Sequence, residues 1–192
     1  MRKRLILWLA LAVPAALMLF DLLTGRTLAM DLLQPSGEMA IRLMIMAMLP
    51  GPLASFFGCN RFLRAWLAVR RNLGVAAFGY AALHLAIYCA DMRMLSAIVD
   101  ELFLPAIGTG WLALLLLAGP AAISFDAAMR LLRRRWKQIQ ALAYPALALT
   151  LIHWLLLDRN WQPAALHLVP LLVAWALRGA AKFKYRFVER TA

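Results

Sequence analysis

The sequence predicts an all-α integral membrane protein, a bundle of six transmembrane helices with both termini in the cytoplasm. Three observations predict it. Hydrophobic residues make up 65% of the 192 residues, whereas a soluble domain is about half apolar, and the mean hydropathy is +0.75. The apolar residues form blocks of about twenty, the length that carries a helix across a bilayer core. The basic residues lie in the gaps between these blocks.

Six apolar blocks define the predicted spans. They cover residues 5–23, 39–57, 73–90, 102–123, 139–157 and 164–181. The first block follows a basic start and could instead be a cleaved signal peptide. Nineteen apolar residues is long for such a peptide, however, and no small-x-small cleavage site follows. We therefore expect the first span to be retained, so that residues 1–192 form a single transmembrane domain.

The positive charges predict the orientation. Lys and Arg number three before span one, four between spans two and three, five between spans four and five, and five from the end of span six onward. Each of the three other gaps holds one. Because cytoplasmic loops carry the excess of Lys and Arg, this alternation places both termini and the two Arg-rich loops in the cytoplasm.

Composition excludes several other classes of protein. The net charge of +12 would suggest nucleic-acid binding in a soluble protein, but here the basic residues serve topology and contact anionic lipids. Cys59 and Cys89 are the two cysteines, too few for a disulfide scaffold or a Cys-rich metal site. The sequence also has no phosphate-binding glycine loop and no HExxH motif.

The chain has three histidines, His84, His153 and His167, and all lie in spans or at their ends. Ionisable residues inside a span are costly and are functional candidates by default. We expect no membrane-embedded Asp or Glu to pair with the histidines, which argues against a proton-coupled transporter. His167 lies at the outer start of span six beside Trp161, where an interfacial imidazole is ordinary.

His84 and His153 are predicted to lie at one depth. His84 is twelve residues after Asn72 and His153 is fifteen after Gln138, which puts both about 18–22 Å from the cytoplasmic end of parallel helices. Such a pair can provide two axial ligands to one haem iron, or it can simply bridge two helices. Small residues near His84 would leave room for a flat macrocycle, or would let helices pack closely; they are Ala76, Ala77, Gly79, Ala81 and Ala82.

Two stretches carry a family resemblance, "RRNLGVAAFGYAALHLAIY" and "RRRWKQIQALAYPALALTLIHWLL". They resemble the haem-binding membrane subunits of bacterial periplasmic methionine sulfoxide reductase systems, in the ferric-reductase-like transmembrane superfamily. The resemblance extends from about residue 36 to residue 154 and includes "SGEMAIRLMIMAML". It implies a six-span bundle in the bacterial inner membrane, with haem between spans three and five.

The resemblance also implies site residues. It makes His84 and His153 the axial ligands of an outer haem b. A second, inner haem would fall at Arg70 and Gln140, where the family usually has histidine on span five, so we expect one haem and no firmly held second one. Arg42 is a candidate contact for a haem propionate, with an interfacial anchor as the alternative.

The implied function is electron transfer, as a subunit rather than as the catalytic enzyme. No flavin or nicotinamide domain follows span six, so electrons would come from the quinone pool or a cytosolic flavin reductase. The acceptor would be a periplasmic molybdenum-containing reductase that repairs methionine sulfoxide. Two alternatives stay open: a stand-alone haem-b ferric or metal reductase, and a cofactor-free transport or structural protein.

Overall fold

The computed structural model describes residues 2–158 and 160–191, and these form ten α-helices with no strand among them. The helices are α1 Arg2–Leu23, α2 Ala29–Met48, α3 Pro50–Phe57, α4 Arg61–Met92, α5 Leu95–Glu101, α6 Pro105–Ala122, α7 Asp126–Leu132, α8 Arg134–Gln140, α9 Ala143–Leu157 and α10 Trp161–Thr191. Part of the charge pattern lies outside the described residues, namely Arg159 and the side chains of Lys3, Lys184, Arg186 and Arg190.

Six stretches are long and apolar enough to cross a membrane, which confirms the prediction of six spans in an all-helical chain. They are Arg4–Leu23, Ala29–Phe57, Arg61–Met92, Pro105–Ala122, Arg134–Leu157 and Trp161–Phe183. The second and third begin earlier than the apolar blocks suggested, at Ala29 and Arg61. In α4 the Asn60 side chain accepts a hydrogen bond from Leu63 N at 2.9 Å, a helix N-cap that sets the start well before the apolar residues.

Prolines divide two of the spans. Pro50 is the first residue of α3, so the second span consists of α2 and α3. In the fifth span a turn at residues 141–142 separates α8 from α9, and Pro145 follows in the first turn of α9. A proline has no N–H and its ring clashes with the carbonyl four residues earlier, here that of Ala141. The break means that Gln140 and His153 lie on different helices.

Two helix pairs build the bundle: α2 packs along α4, and α6 packs along α9. Ile41, Ala77, Ala146 and Leu171 are fully buried in the core, where the alanines allow close approach of neighbouring backbones. On the other side, the Tyr80 hydroxyl donates to Leu11 O at 2.8 Å and accepts from Ala15 N at 3.0 Å. These two hydrogen bonds with the backbone of α1 hold the first helix against α4.

Candidate functional site

His84 on α4 and His153 on α9 lie next to each other inside the bundle. Their ring centroids are 6.2 Å apart and their planes are nearly perpendicular, at 88°. Both line a cavity of about 550 Å³ whose walls come mainly from α2, α4, α6 and α9. The cavity is mostly apolar and of the size that holds a cofactor. Trp111 and Trp154 are among its walls.

A backbone carbonyl of a neighbouring helix holds each imidazole. His84 Nδ1 donates to Leu33 O of α2 at 2.9 Å, with Ser36 Oγ at 3.1 Å. His153 Nδ1 donates to Ala106 O of α6 at 2.6 Å. A carbonyl only accepts, so each ring carries a proton on Nδ1, and in the neutral imidazole the lone pair is then on Nε2. Neither Nε2 has a hydrogen-bond partner among the described residues, which leaves both able to bind a metal ion.

A glycine lies against each ring, four residues after the carbonyl that the ring contacts. A Cβ on Gly37 would lie 3.3 Å from His84 Nδ1, and a Cβ on Gly110 would lie 2.7 Å from both Cε1 and Nδ1 of His153. The two histidines therefore occupy equivalent seats: a carbonyl at position i and a glycine at position i+4 of the facing helix. Neither glycine could be singled out from the sequence alone. Each glycine lies one helical turn after the carbonyl that the ring contacts. This spacing can be recognised only when it is known that α2 packs along α4 and α6 along α9.

The separation of the two imidazoles suits one metal ion between them. A metal–imidazole bond is about 2 Å long and a ring nitrogen lies about 1 Å from its own ring centre, so two rings on opposite sides of one metal have centres about 6 Å apart. No group of three or more His, Cys, Asp or Glu side chains among the described residues could hold a bare ion. The pair instead fits a metal that brings its remaining ligands with it, as haem iron does.

Three polar side chains, Glu38, Arg42 and His167, are joined in a row beside the cavity. Because α2 begins at Ala29, Glu38 lies inside the second span and lines the same cavity as His84 and His153, so the expectation of no membrane-embedded carboxylate near the histidines was wrong. Glu38 lines the cavity and forms an ion pair with Arg42. Arg42 Nε also donates to His167 Nε2 at 2.8 Å. Arg42 itself is not among the cavity-lining residues.

His167 is satisfied on both ring nitrogens. Its Nδ1 donates to Pro163 O at 2.6 Å while Nε2 accepts from Arg42. Its ring also lies against Trp154, with centroids 5.4 Å apart. This histidine therefore holds α10 to α2 and α9, and it has no free nitrogen to offer a metal.

The small residues of α4 divide between two roles. Ala81 lines the cavity, as expected of a residue that makes room beside His84. Ala76 and Ala77 instead pack in the helix core, and a Cβ on Gly79 would contact nothing within 4 Å. The room around His84 is thus provided mainly by α2, through Gly37, rather than by its own helix.

A second cavity of about 400 Å³ lies nearer the Arg-rich loops and includes Arg70 and Gln140. No histidine lines it. The Gln140 amide donates to Pro120 O at 3.1 Å and to Ser124 Oγ at 3.2 Å, so it caps the end of α6. Met44 and Leu117 border both cavities, and so form the layer between them.

The part of the chain that matches a known protein family includes the site. The profile of the family described as "Ferric reductase like transmembrane component" matches residues 36–156. The chain belongs to this family. The matched region contains both histidines and both glycines of the two seats, and the resemblance predicted from the sequence is confirmed.

Ferric-reductase-like relatives similar to the chain are named for haem binding. "Protein-methionine-sulfoxide reductase heme-binding subunit MsrQ" of Brucella anthropi is 33% identical over 147 residues, which cover 73% of this chain and 64% of the relative. The proteins of the same name from Brucella ovis and Brucella canis are each 30% identical over the same shares. The chain thus matches a little under two thirds of the length of these relatives. No solved structure matches it.

Proposed function

We propose that the chain is a haem-binding electron-transfer subunit that supplies a periplasmic methionine sulfoxide reductase of the molybdenum-containing type. It lies in the bacterial inner membrane with both termini in the cytoplasm. The observation that carries the proposal is the pair of neighbouring imidazoles, with ring centroids 6.2 Å apart and a carbonyl contact on each Nδ1. The name that the relatives carry, the heme-binding subunit of a protein-methionine-sulfoxide reductase, supports it.

Haem supplies one-electron redox chemistry when it is bound. His84 and His153 would hold the iron through Nε2, while Leu33 O and Ala106 O fix the orientation of the rings and would raise their basicity as ligands. The cofactor is haem b, held without covalent attachment, because Cys59 and Cys89 form no C-x-x-C-H motif.

The site lies toward the outer side of the membrane in this proposal. Thirteen residues separate Arg71, near the Arg-rich end of α4, from His84, a rise of about 20 Å. The cavity between them has no imidazole pair, so we propose one haem per chain. A quinol bound within the membrane near the outer site is then the more direct donor, and a cytosolic flavin reductase is the alternative.

Arg42 pairs with the carboxylate of Glu38 at the cavity wall. An unpaired carboxylate inside a span is costly, so Arg42 offsets the charge of Glu38 and His167 holds Arg42 in place. The propionate contact predicted for Arg42 remains a proposal, and it would require the guanidinium to turn from Glu38 toward the cavity.

Electron delivery tests the proposed function. In liposomes containing the purified chain and reduced quinone, we expect added periplasmic methionine sulfoxide reductase and its sulfoxide substrate to reoxidise the haem. His84→Ala should stop turnover, and Gly79→Ala, on the same helix with no atom near its added Cβ, should not. Sulfoxide turnover that persists in His84→Ala would contradict the proposal. Equal reoxidation by a ferric chelate without the reductase would favour the stand-alone metal reductase.

Gln140→Ala distinguishes a helix cap from an iron ligand. It removes the two hydrogen bonds to Pro120 O and Ser124 Oγ, so we expect a loss of about 1–2 kcal/mol in unfolding free energy. The haem-to-protein ratio should stay unchanged. A thermal unfolding curve and a pyridine haemochrome assay on the same sample check both statements, and a fall in haem content would give Gln140 a ligand role.

Arg42→Gln is expected to destabilise the protein more than the double variant Arg42→Gln/Glu38→Gln. The single change leaves a partly buried carboxylate of the second span with the Gln34 amide as partner but without its cation, whereas the double change leaves two neutral amides. A double-mutant cycle on unfolding should give a coupling of roughly 1–3 kcal/mol. Strict additivity of the two single changes would show that the pair contributes nothing.

A further inference from the structure

The second cavity is strongly basic. Arg70 and Arg71 of α4, Lys137 of α8 and Arg178 of α10 all line it, and no Asp or Glu does. Four cations from three helices therefore converge on a volume of about 400 Å³. Like charges gathered this closely repel one another unless an anion lies among them.

Two of these arginines have buried nitrogens with no partner among the described residues, Arg71 Nη1 and Arg178 Nε. A buried donor without an acceptor is expensive, and more so when it is charged. Arg71 is held in place from its other side, since Nη2 donates to Asp126 Oδ1 at 2.6 Å. That hydrogen bond from Arg71 keeps the pKa of the exposed Asp126 carboxyl below its usual value, so Asp126 stays charged at neutral pH and anchors the arginine.

Topology alone does not explain this arrangement. Arginines that only orient a span lie exposed at its end, as Arg134 and Arg135 do. Arg71 and Arg178 instead lie partly buried on two different spans and meet at one cavity. Hydroxyl and aromatic groups complete its walls, including Ser55, Tyr144 and Trp136.

We propose that this cavity binds the phosphate group of an anionic ligand. Guanidinium forks match the oxygens of a phosphate in pairs, and a lysine adds a point charge. A phosphate would provide acceptors for the partnerless nitrogens of Arg71 and Arg178 and would offset the positive charge that the single carboxylate of Asp126 leaves. The group can belong to the headgroup of an anionic phospholipid that enters between the spans, or to a soluble phosphate ester from the cytoplasmic side.

Thermal unfolding of the delipidated, full-length chain tests the proposal. We expect inorganic phosphate, compared with chloride at equal ionic strength, to raise Tm by roughly 2–5 °C. Native mass spectrometry after exchange into phosphatidylglycerol or phosphatidylcholine nanodiscs tests whether the phosphate belongs to a lipid. We expect the protein to retain bound phosphatidylglycerol and not phosphatidylcholine. A response to phosphate only identifies a soluble ester, and retention of phosphatidylglycerol only identifies a lipid. The absence of both overturns the proposal.

Variants distinguish binding in the cavity from a general effect of positive charge. Arg71→Gln/Arg178→Gln should abolish the response, whereas Arg134→Gln, which removes an exposed charge outside the cavity, should retain it. Gly74→Leu is a second test that keeps every charge, because a Cβ on Gly74 meets no atom within 4 Å and a larger side chain there would fill the cavity. A response that survives in both cavity variants, or that Arg134→Gln also removes, contradicts the proposal. The same titration on haem-free His153→Ala keeps this result independent of the haem site.

Discussion

His153→Ala is expected to yield a folded membrane protein that has lost its haem. Removing a group that merely orients a metal-bound histidine already lowers metal affinity about 10–100-fold, and His153 is proposed to bind the iron itself. We therefore expect the haem-to-protein ratio to fall at least tenfold, and His84→Ala to behave in the same way. Haem extraction from detergent-purified protein measures the ratio.

His167→Ala is the matched control for that experiment. It removes an imidazole from the same part of the bundle, but one whose two nitrogens are bonded to Pro163 O and to Arg42. We expect it to keep its haem with a modest loss of stability. If His167→Ala loses haem as completely as His153→Ala, the assignment of His84 and His153 as the ligand pair is wrong.

Among alanine substitutions at Gly37, Gly79 and Gly110, the one at Gly110 is expected to damage haem binding most. The new Cβ would lie 2.7 Å from two atoms of the His153 ring, closer than any real contact, so either the ring must turn away or α6 must separate from α9. Overpacking of this kind costs about 1–3 kcal/mol, and a displaced ring no longer holds its carbonyl contact with Ala106. We expect a severalfold to tenfold loss of haem affinity.

The other glycines make this a graded test. At Gly37 the nearest atom of His84 would be 3.3 Å from the new Cβ, and at Gly79 nothing lies within 4 Å. Haem titration of the apoprotein should therefore rank the alanine variants as Gly110 weakest, Gly37 intermediate and Gly79 equal to the unmodified chain. Equal affinities for all three would mean that the glycines do not shape the seats.

The histidines could be predicted from sequence because each is an isolated ionisable group in an apolar run. His153 in "LALTLIHWLLL" needs no knowledge of its neighbours to be noticed. Their matching depth follows from helix rise alone. The six-span fold could be predicted for the same reason, since length and charge distribution are local properties of each segment.

The surroundings of the histidines could not be predicted, because they depend on which helices pair. Gly110 matters only because α6 packs along α9, and Leu33 O only because α2 packs along α4. Glu38 was misplaced for another reason. Pro35 and Gly37 normally indicate a break, but here α2 continues through both. Ser36 is buried within it and its hydroxyl donates to Leu32 O at 2.7 Å.

The electron paramagnetic resonance spectrum of the oxidised, purified chain, normalised to its haem and protein content, tests the central claim most directly. With one haem held between His84 and His153, whose ring planes lie at 88° to each other, we expect one haem per chain and a single, strongly anisotropic low-spin signal. A high-spin signal would mean that one imidazole is not bound. Two low-spin signals, or protein that takes up no haem when it is supplied in excess, would contradict the single bis-histidine site.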